Sequence, residues 1–271
     1  NFTAFYEALL DAKGLALWKP AQNVGRVKVE LARAESAFVV PLLKNFTPDW
    51  QWTEASGKGS FEFTRENRHD LVKADLEAAV TVETGTPQRP RPVDFSSVQG
   101  QVHASWPSGA EGQLAIENLA LVAKHRNGTE AVRVSLDAPL LLKKNGPGQW
   151  EPAGTQASSG MIQFGGWPMG IVAPLVLPEA KESSMAGTLS GFLRVQSDPQ
   201  KRTLAAQLDL TSPDLSVELP NVRWPENQVS LQADLALDAE GTLAIQKVMV
   251  GCRQAGQEWL ELSATQASAQ G

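Results

Sequence analysis

Apolar and polar residues alternate with a period of two over segment after segment of this chain, and that period leaves little choice of backbone. In an extended strand successive side chains point to opposite faces, so strict alternation puts one chemistry on each side. In 23–31, Val27, Val29 and Leu31 share one phase, while Arg26, Lys28 and Glu30 share the other. Val132, Val134 and Leu136 repeat the pattern opposite Arg133, Ser135 and Asp137. Leu204, Ala206, Leu208 and Leu210 stand opposite Gln207 and Asp209. Val229, Leu231, Ala233, Leu235 and Leu237 stand opposite Ser230, Gln232, Asp234, Ala236 and Asp238. The same texture marks 60–63, 74–82, 98–104, 113–117, 192–195, 215–219, 242–250 and 259–262. Turn signals fall between these runs: Asn127-Gly128, Asn145-Gly146-Pro147-Gly148, Ser212-Pro213-Asp214 and Glu240-Gly241. About a dozen short strands so punctuated predict an all-β chain. The expected form is an extended, curved antiparallel or mixed sheet, trough-like or solenoid-like, with one or two short helices.

A few segments break the alternation. Phe2, Phe5, Tyr6, Leu9 and Leu10 lie at helical spacing and predict a short amphipathic helix, with Gly14 as its stop. Segments 34–43 and 170–177 are apolar and punctuated by proline, and each reads as a short helix or an irregular turn packed on a sheet. The stretch 84–92, with Pro87, Pro90 and Pro92, reads as a linker. The resulting division is a first β unit with its N-terminal helix over 1–83, the linker, a middle β segment over 93–160 and a second β unit over 161–271.

The residues of catalysis are not gathered anywhere. His69, His103 and His125 are the only histidines, none at ligand spacing to another His or to Cys, and HExxH is missing. The nucleophile elbow and both phosphate-loop patterns are missing as well. Cys252 stands alone, so no internal disulfide forms, and no neighbouring His or CxxC partner activates it. A net charge of −6 without a basic patch argues against nucleic acid. The expectation is a non-enzyme without cofactor or metal.

A repeat gives the pattern more content. Val40-Pro-Leu-Leu leads through Ala55-Ser-Gly-Lys-Gly-Ser-Phe-Glu-Phe to Leu71-Val-Lys-Ala-Asp-Leu. Ala173-Pro-Leu-Val leads likewise through Met185-Ala-Gly-Thr-Leu-Ser-Gly-Phe-Leu-Arg-Val to Leu204-Ala-Ala-Gln-Leu-Asp-Leu. In both, an apolar Pro-Leu element precedes a glycine-containing strand, a charged turn and a second alternating strand. The second copy, with Ser197-Asp198-Pro199 as its turn, resembles the recurrent unit of AsmA-like and TamB-like bacterial envelope proteins. The likeness covers 170–250 well and 38–83 more weakly.

That resemblance implies a long curved sheet, open like a trough, whose apolar interior shields lipid acyl chains. It implies a periplasmic protein held at the inner membrane through a segment outside this chain. It also implies a role in phospholipid movement or outer-membrane assembly, with phospholipid acyl chains and envelope proteins as partners. The residues expected to line the groove are Val132, Val134, Leu136, Leu193, Val195, Leu204, Leu208, Leu210, Val229, Leu231, Leu235 and Leu237. From the residues alone, alternating strands fit an ordinary core better than a lipid groove; it is the resemblance that brings the groove level with it. The rival function is a carbohydrate- or protein-binding β-sandwich using tryptophans expected in loops, among them Trp50, Trp52, Trp106, Trp150, Trp167 and Trp224.

Overall fold

Alternating segments of this length satisfy their backbone groups only by pairing with one another. A computed structural model shows how they do so, describing residues 2–10, 20–37, 40–41, 51–66, 69–86, 89–107, 112–146, 149–153, 157–176, 183–200, 203–219, 221–237, 242–254 and 256–270. The strands are β1 (Phe2–Leu10), β2 (Pro20–Ala34), β3 (Gln51–Glu66), β4 (His69–Thr86), β5 (Arg89–Pro107) and β6 (Gln113–His125). Then come β7 (Glu130–Leu136), β8 (Leu140–Gly146), β9 (Gln149–Pro152), β10 (Ser158–Pro168) and a helix, α1 (Met169–Val176). The chain continues through β11 (Ser184–Ala186), β12 (Thr188–Asp198), β13 (Thr203–Leu219), β14 (Val222–Leu237), β15 (Thr242–Gln254) and β16 (Gln257–Gln270).

All 16 strands among the described residues belong to one sheet. Its path runs β1-β2-β3-β4-β5-β6-β7-β10-β12-β13-β14-β15-β16 without closing on itself. Every pairing is antiparallel, as expected where neighbours in sequence become neighbours in space. β8 continues the lane of β7 beside β6, and β11 continues the lane of β12 beside β13.

The sheet is extended and curved. A compact monomer of 29.2 kDa exposes about 11,500 Å²; this protein exposes 17,203 Å². β4 and β11 lie five lanes apart, about 24 Å on a flat sheet. Their Cα atoms nonetheless approach within 8 Å. The sheet therefore bends back, and α1 sits in the bend against β4 and β11.

Several local expectations need correction. The segment Phe2–Leu10 is a strand and not a helix, paired with β2 from Phe2↔Leu31 to Ala8↔Gly25. A nine-residue helix is marginal alone, Phe, Thr and Tyr favour extended backbone, and β2 offers a free edge. Gly14 lies outside the described residues. The supposed linker 84–92 lies at the tip of the β4–β5 hairpin, where Gly85 pairs with Pro90 and Thr84 with Arg91. Ser212-Pro213-Asp214 is a bulge inside β13. Its Asp214 carboxylate accepts from the Thr188 N–H at 2.9 Å and from the Thr188 hydroxyl at 3.1 Å. Segment 170–177 is helical over its described part, and residues 36–37 and 40–41 have helical backbone.

Candidate functional site

The register turns separate alternations into one surface. Following Cα partners from β2 to β16, one row reads Leu31, Gly59, Leu76, Gly100, Leu121, Val134, Ile162, Leu193, Leu208, Ala233, Val248, Ala264. Nothing polar interrupts it. The adjacent row, on the opposite face, reads Glu30, Ser60, Asp75, Gln101, Ala120, Ser135, Met161, Arg194, Gln207, Asp234, Lys247, Thr265. The sheet thus has one apolar and one polar side over its whole width.

Along this apolar face cover is uneven. At β4–β10 it forms a core: Ile171 of α1, 2% exposed, packs with Val82, Phe95, Ala123, Ala131 and Val132. Val134, Ile162, Phe164 and Trp167 pack against that cluster. Trp167 stacks on Phe95 with ring centroids 5.3 Å apart, and His125 stacks on Phe95 at 6.1 Å. On β13–β15 the aligned leucines Leu204, Leu237 and Leu243 are each more than a third exposed, and Leu262 of β16 is 56% exposed. In β4, Leu76 stands between Gly59 and Gly100 and is 52% exposed. No second layer covers these positions among the described residues.

All of the expected groove residues lie on this apolar face. Val132 falls in the helix-covered core, Val134 against it, and the residues of β13 and β14 on the open part. Leu243, Ile245, Val248 and Val250 share that face; the sequence reading places them in the strand 242–250 without assigning them to the groove. A bulge at Gln246 shifts the phase of β15 midway, so no single alternation spans it. Phe61 and Leu76 were legible as apolar strand residues in the runs 60–63 and 74–82 but were not assigned to the groove.

Two stretches of one edge of the face, at its N-terminal and C-terminal ends, differ in chemistry. At the β3–β4 hairpin the Arg65 guanidinium binds Asp70 in a fork, Nε to Oδ1 at 2.5 Å and Nη2 to Oδ2 at 2.6 Å. Asp70 is 2% exposed, and its carboxylate raises the Arg65 pKa further above neutrality. Phe63 lies beneath that guanidinium at 5.9 Å and beside Trp106 at 6.4 Å. On β12–β16 the face carries no carboxylate, ammonium, guanidinium or imidazole among its described side chains. Its polar side-chain atoms include the Ser197 and Ser212 hydroxyls, buried and without a hydrogen-bond partner.

Other features offer less. A depression of about 640 Å³ on the polar side of β2–β6 is lined by Glu30, Lys58, Asp75, Glu77, Gln99 and Gln101, among others. Lys58 is already matched by Glu77 at 2.9 Å. Among the described residues no group of three or more His, Cys, Asp or Glu is placed to hold a metal, and no helix is long and apolar enough to cross a membrane. Cys252 is buried on the apolar face between Val229 and Leu260. The described tryptophans named as loop residues are in strands: Trp52 in β3, Trp106 in β5, Trp150 in β9, Trp167 in β10 and Trp224 in β14. Trp50 lies outside the described residues. Trp224 and Trp259 meet edge to face at 5.7 Å near the exposed end of β14–β16, and the Trp259 indole N–H donates to Asn227 Oδ1 at 3.3 Å.

Comparison with family models, with curated proteins and with solved structures finds no match for this chain.

Proposed function

We propose that this chain is part of an AsmA/TamB-like periplasmic envelope protein that shelters phospholipid acyl chains on its apolar face, in lipid transport or outer-membrane assembly, with no chemical step of its own. One observation carries the reading: an unbroken apolar row crosses an open sheet and is left partly uncovered. An exposed apolar surface of this extent marks an interaction site in a protein that stays in solution. Covering a few hundred Å² of it with methylene groups contributes several kcal/mol, at about 25 cal/mol per Å². No acid, base or metal is needed for that.

The test is direct. Protein purified without detergent and extracted into organic solvent is expected to release phospholipid at near one molecule or more per chain by mass spectrometry. Recovery at the level of an unrelated soluble control removes the reading.

A second reading, a carbohydrate- or protein-binding surface, draws on the exposed Trp224–Trp259 pair. Glycan titration followed by indole fluorescence separates the two. A saturable shift lost in Trp259→Ala favours the sugar, and a flat titration removes that version.

A further inference from the structure

The turn between β6 and β7 carries the dipeptide Asn127-Gly128, and both residues are exposed. Gly128 has φ +84, a backbone state that suits glycine, and a Cβ built on it would meet nothing within 4 Å. The Asn127 side-chain carbonyl accepts twice from Thr129: the N–H donates to Oδ1 at 3.0 Å and the hydroxyl at 2.7 Å. The next nitrogen along the chain, Gly128 N, donates to the His125 carbonyl at 2.9 Å. A carboxamide polarised at its oxygen therefore precedes an unhindered backbone nitrogen, in contact with water. The hairpin that this turn closes carries Ala123, Ala131 and Val132, three residues of the core beneath α1.

We infer that Asn127 is a site of self-modification, at which the side-chain amide is converted to a carboxylate through attack by Gly128 N. The Gly128 nitrogen gives its proton to a solvent base and bonds to Asn127 Cγ. Negative charge then develops on Oδ1, where the two Thr129 donors already point, as in an oxyanion hole. Nδ2 takes a proton from water, the Cγ–Nδ2 bond breaks and ammonia leaves, so that a cyclic imide remains. Water adds to either imide carbonyl and opens the ring to aspartate or isoaspartate, with nothing oxidised or reduced. Aspartate adds a negative charge to the turn. Isoaspartate also routes the main chain through Cβ, which lengthens the turn and loosens the hairpin over the core. The same dipeptide at Asn145-Gly146 is the internal comparison. It ends β8, where Gly146 pairs with Gln149. Swinging the glycine nitrogen toward the side chain there breaks strand pairing, whereas in the turn it breaks one exposed bond. Asn127 is the faster of two identical dipeptides.

The full chain, kept in mildly alkaline buffer and sampled over time, tests this by peptide mass spectrometry, with isoaspartate assigned from its fragmentation. Native conversion at Asn127 is expected to outrun that at Asn145 about tenfold or more, because local opening of the turn costs less. In urea the two rates are expected to agree within about threefold, since only the dipeptide is left to set them. Native rates that already agree overturn the inference, as does a faster Asn145. A gap that persists in urea belongs to the neighbouring sequence and overturns it as well. Thr129→Val keeps the backbone donor and removes the hydroxyl. It is expected to slow Asn127 about fivefold and leave Asn145 unchanged, a smaller loss than in a site closed to water. Thr129→Ser is expected to restore the rate. An unslowed Thr129→Val in the folded chain overturns the part given to Thr129. If that variant does not fold, the comparison of native chain with urea decides alone.

Discussion

The middle of the sheet and its C-terminal end are built from strands of the same composition, yet one is a core and the other is an open surface. Val132 and Leu235 are both apolar residues in alternating strands, on the same face of the same sheet. Val132 packs with Ile171 and Phe95; the C-terminal strands beside Leu235 carry Leu204, Leu237 and Leu243 more than a third exposed. The difference is a second layer. Eight residues of helix, from Met169 to Val176, turn one stretch of the face into an interior. Strand chemistry makes the face apolar, and what lies over it decides whether it is core or open surface.

The contrast is sharpest in stability. Phe95→Ala removes a ring 4% exposed and stacked on Trp167 and His125, and is expected to cost about 4 kcal/mol. Leu243→Ala, on the open end, is expected to cost about 1 kcal/mol, because much of that side chain is already in water. Urea unfolding followed by far-ultraviolet circular dichroism checks both. Equal losses would mean the two regions do not differ in packing.

The strand that joins the regions is held by backbone shape. Gly191 in β12 has φ +127, and a Cβ there would sit 2.0 Å from the Asp209 carbonyl oxygen of β13. Gly191→Ala is expected to destabilise by about 3 kcal/mol. The same unfolding experiment reads it, with hydrogen exchange showing the loss concentrated in β12–β13 and spreading toward the open end. A change below about 1 kcal/mol would show that this junction relaxes freely.

Much of this organisation is legible from residue order, and the failures have physical causes. The faces of β7, β13 and β14 follow from Val132-x-Val134-x-Leu136, Leu204 to Leu210 and Val229 to Leu237, because nothing interrupts their period. β15 hides its face because a bulge at Gln246 changes phase. Phe2–Leu10 matches a helical spacing, but pairing with β2 supplies what so short a helix lacks. The prolines of 84–92 signal a break in pairing, and what they mark is a hairpin tip. The cover that α1 gives depends on β4 and β11 coming together across five lanes, a long-range property that no local window contains.

The two margins of the apolar face offer a smaller contrast. At the β3–β4 hairpin it ends in the Arg65–Asp70 pair, and on β13–β15 it ends in leucines. Asp70→Asn strands the guanidinium beside Phe63 and Trp106, and is expected to cost about 2 kcal/mol, less than a fully buried pair because Arg65 keeps contact with water. Replacing both, Arg65→Met with Asp70→Leu, is expected to recover most of that loss. It would also give the N-terminal margin the chemistry of the C-terminal one. If the double variant is as unstable as the single one, the pair serves the hairpin itself and not the closing of the face.

The polar side provides the control, because it carries exposed charge pairs toward both ends of the sheet. On β2–β3 the Arg26 guanidinium lies 3.0 Å from the Glu62 carboxylate. That hydrogen bond lowers the Glu62 pKa, against a smaller opposing effect of burial. A carboxyl whose folded value lies below its unfolded one, about 4.3, stabilises the protein above that pH and loses its contribution as pH falls through the folded value. Arg26 is half exposed, so the pair is worth about 0.5 kcal/mol at most. Glu62→Gln is therefore expected to lower the urea midpoint slightly at pH 7 and to match the parent once acid has protonated Glu62 in both states. A gap that persists there would mean that Glu62 acts by packing and not by charge. The polar face would then share in the regional difference that the apolar face shows.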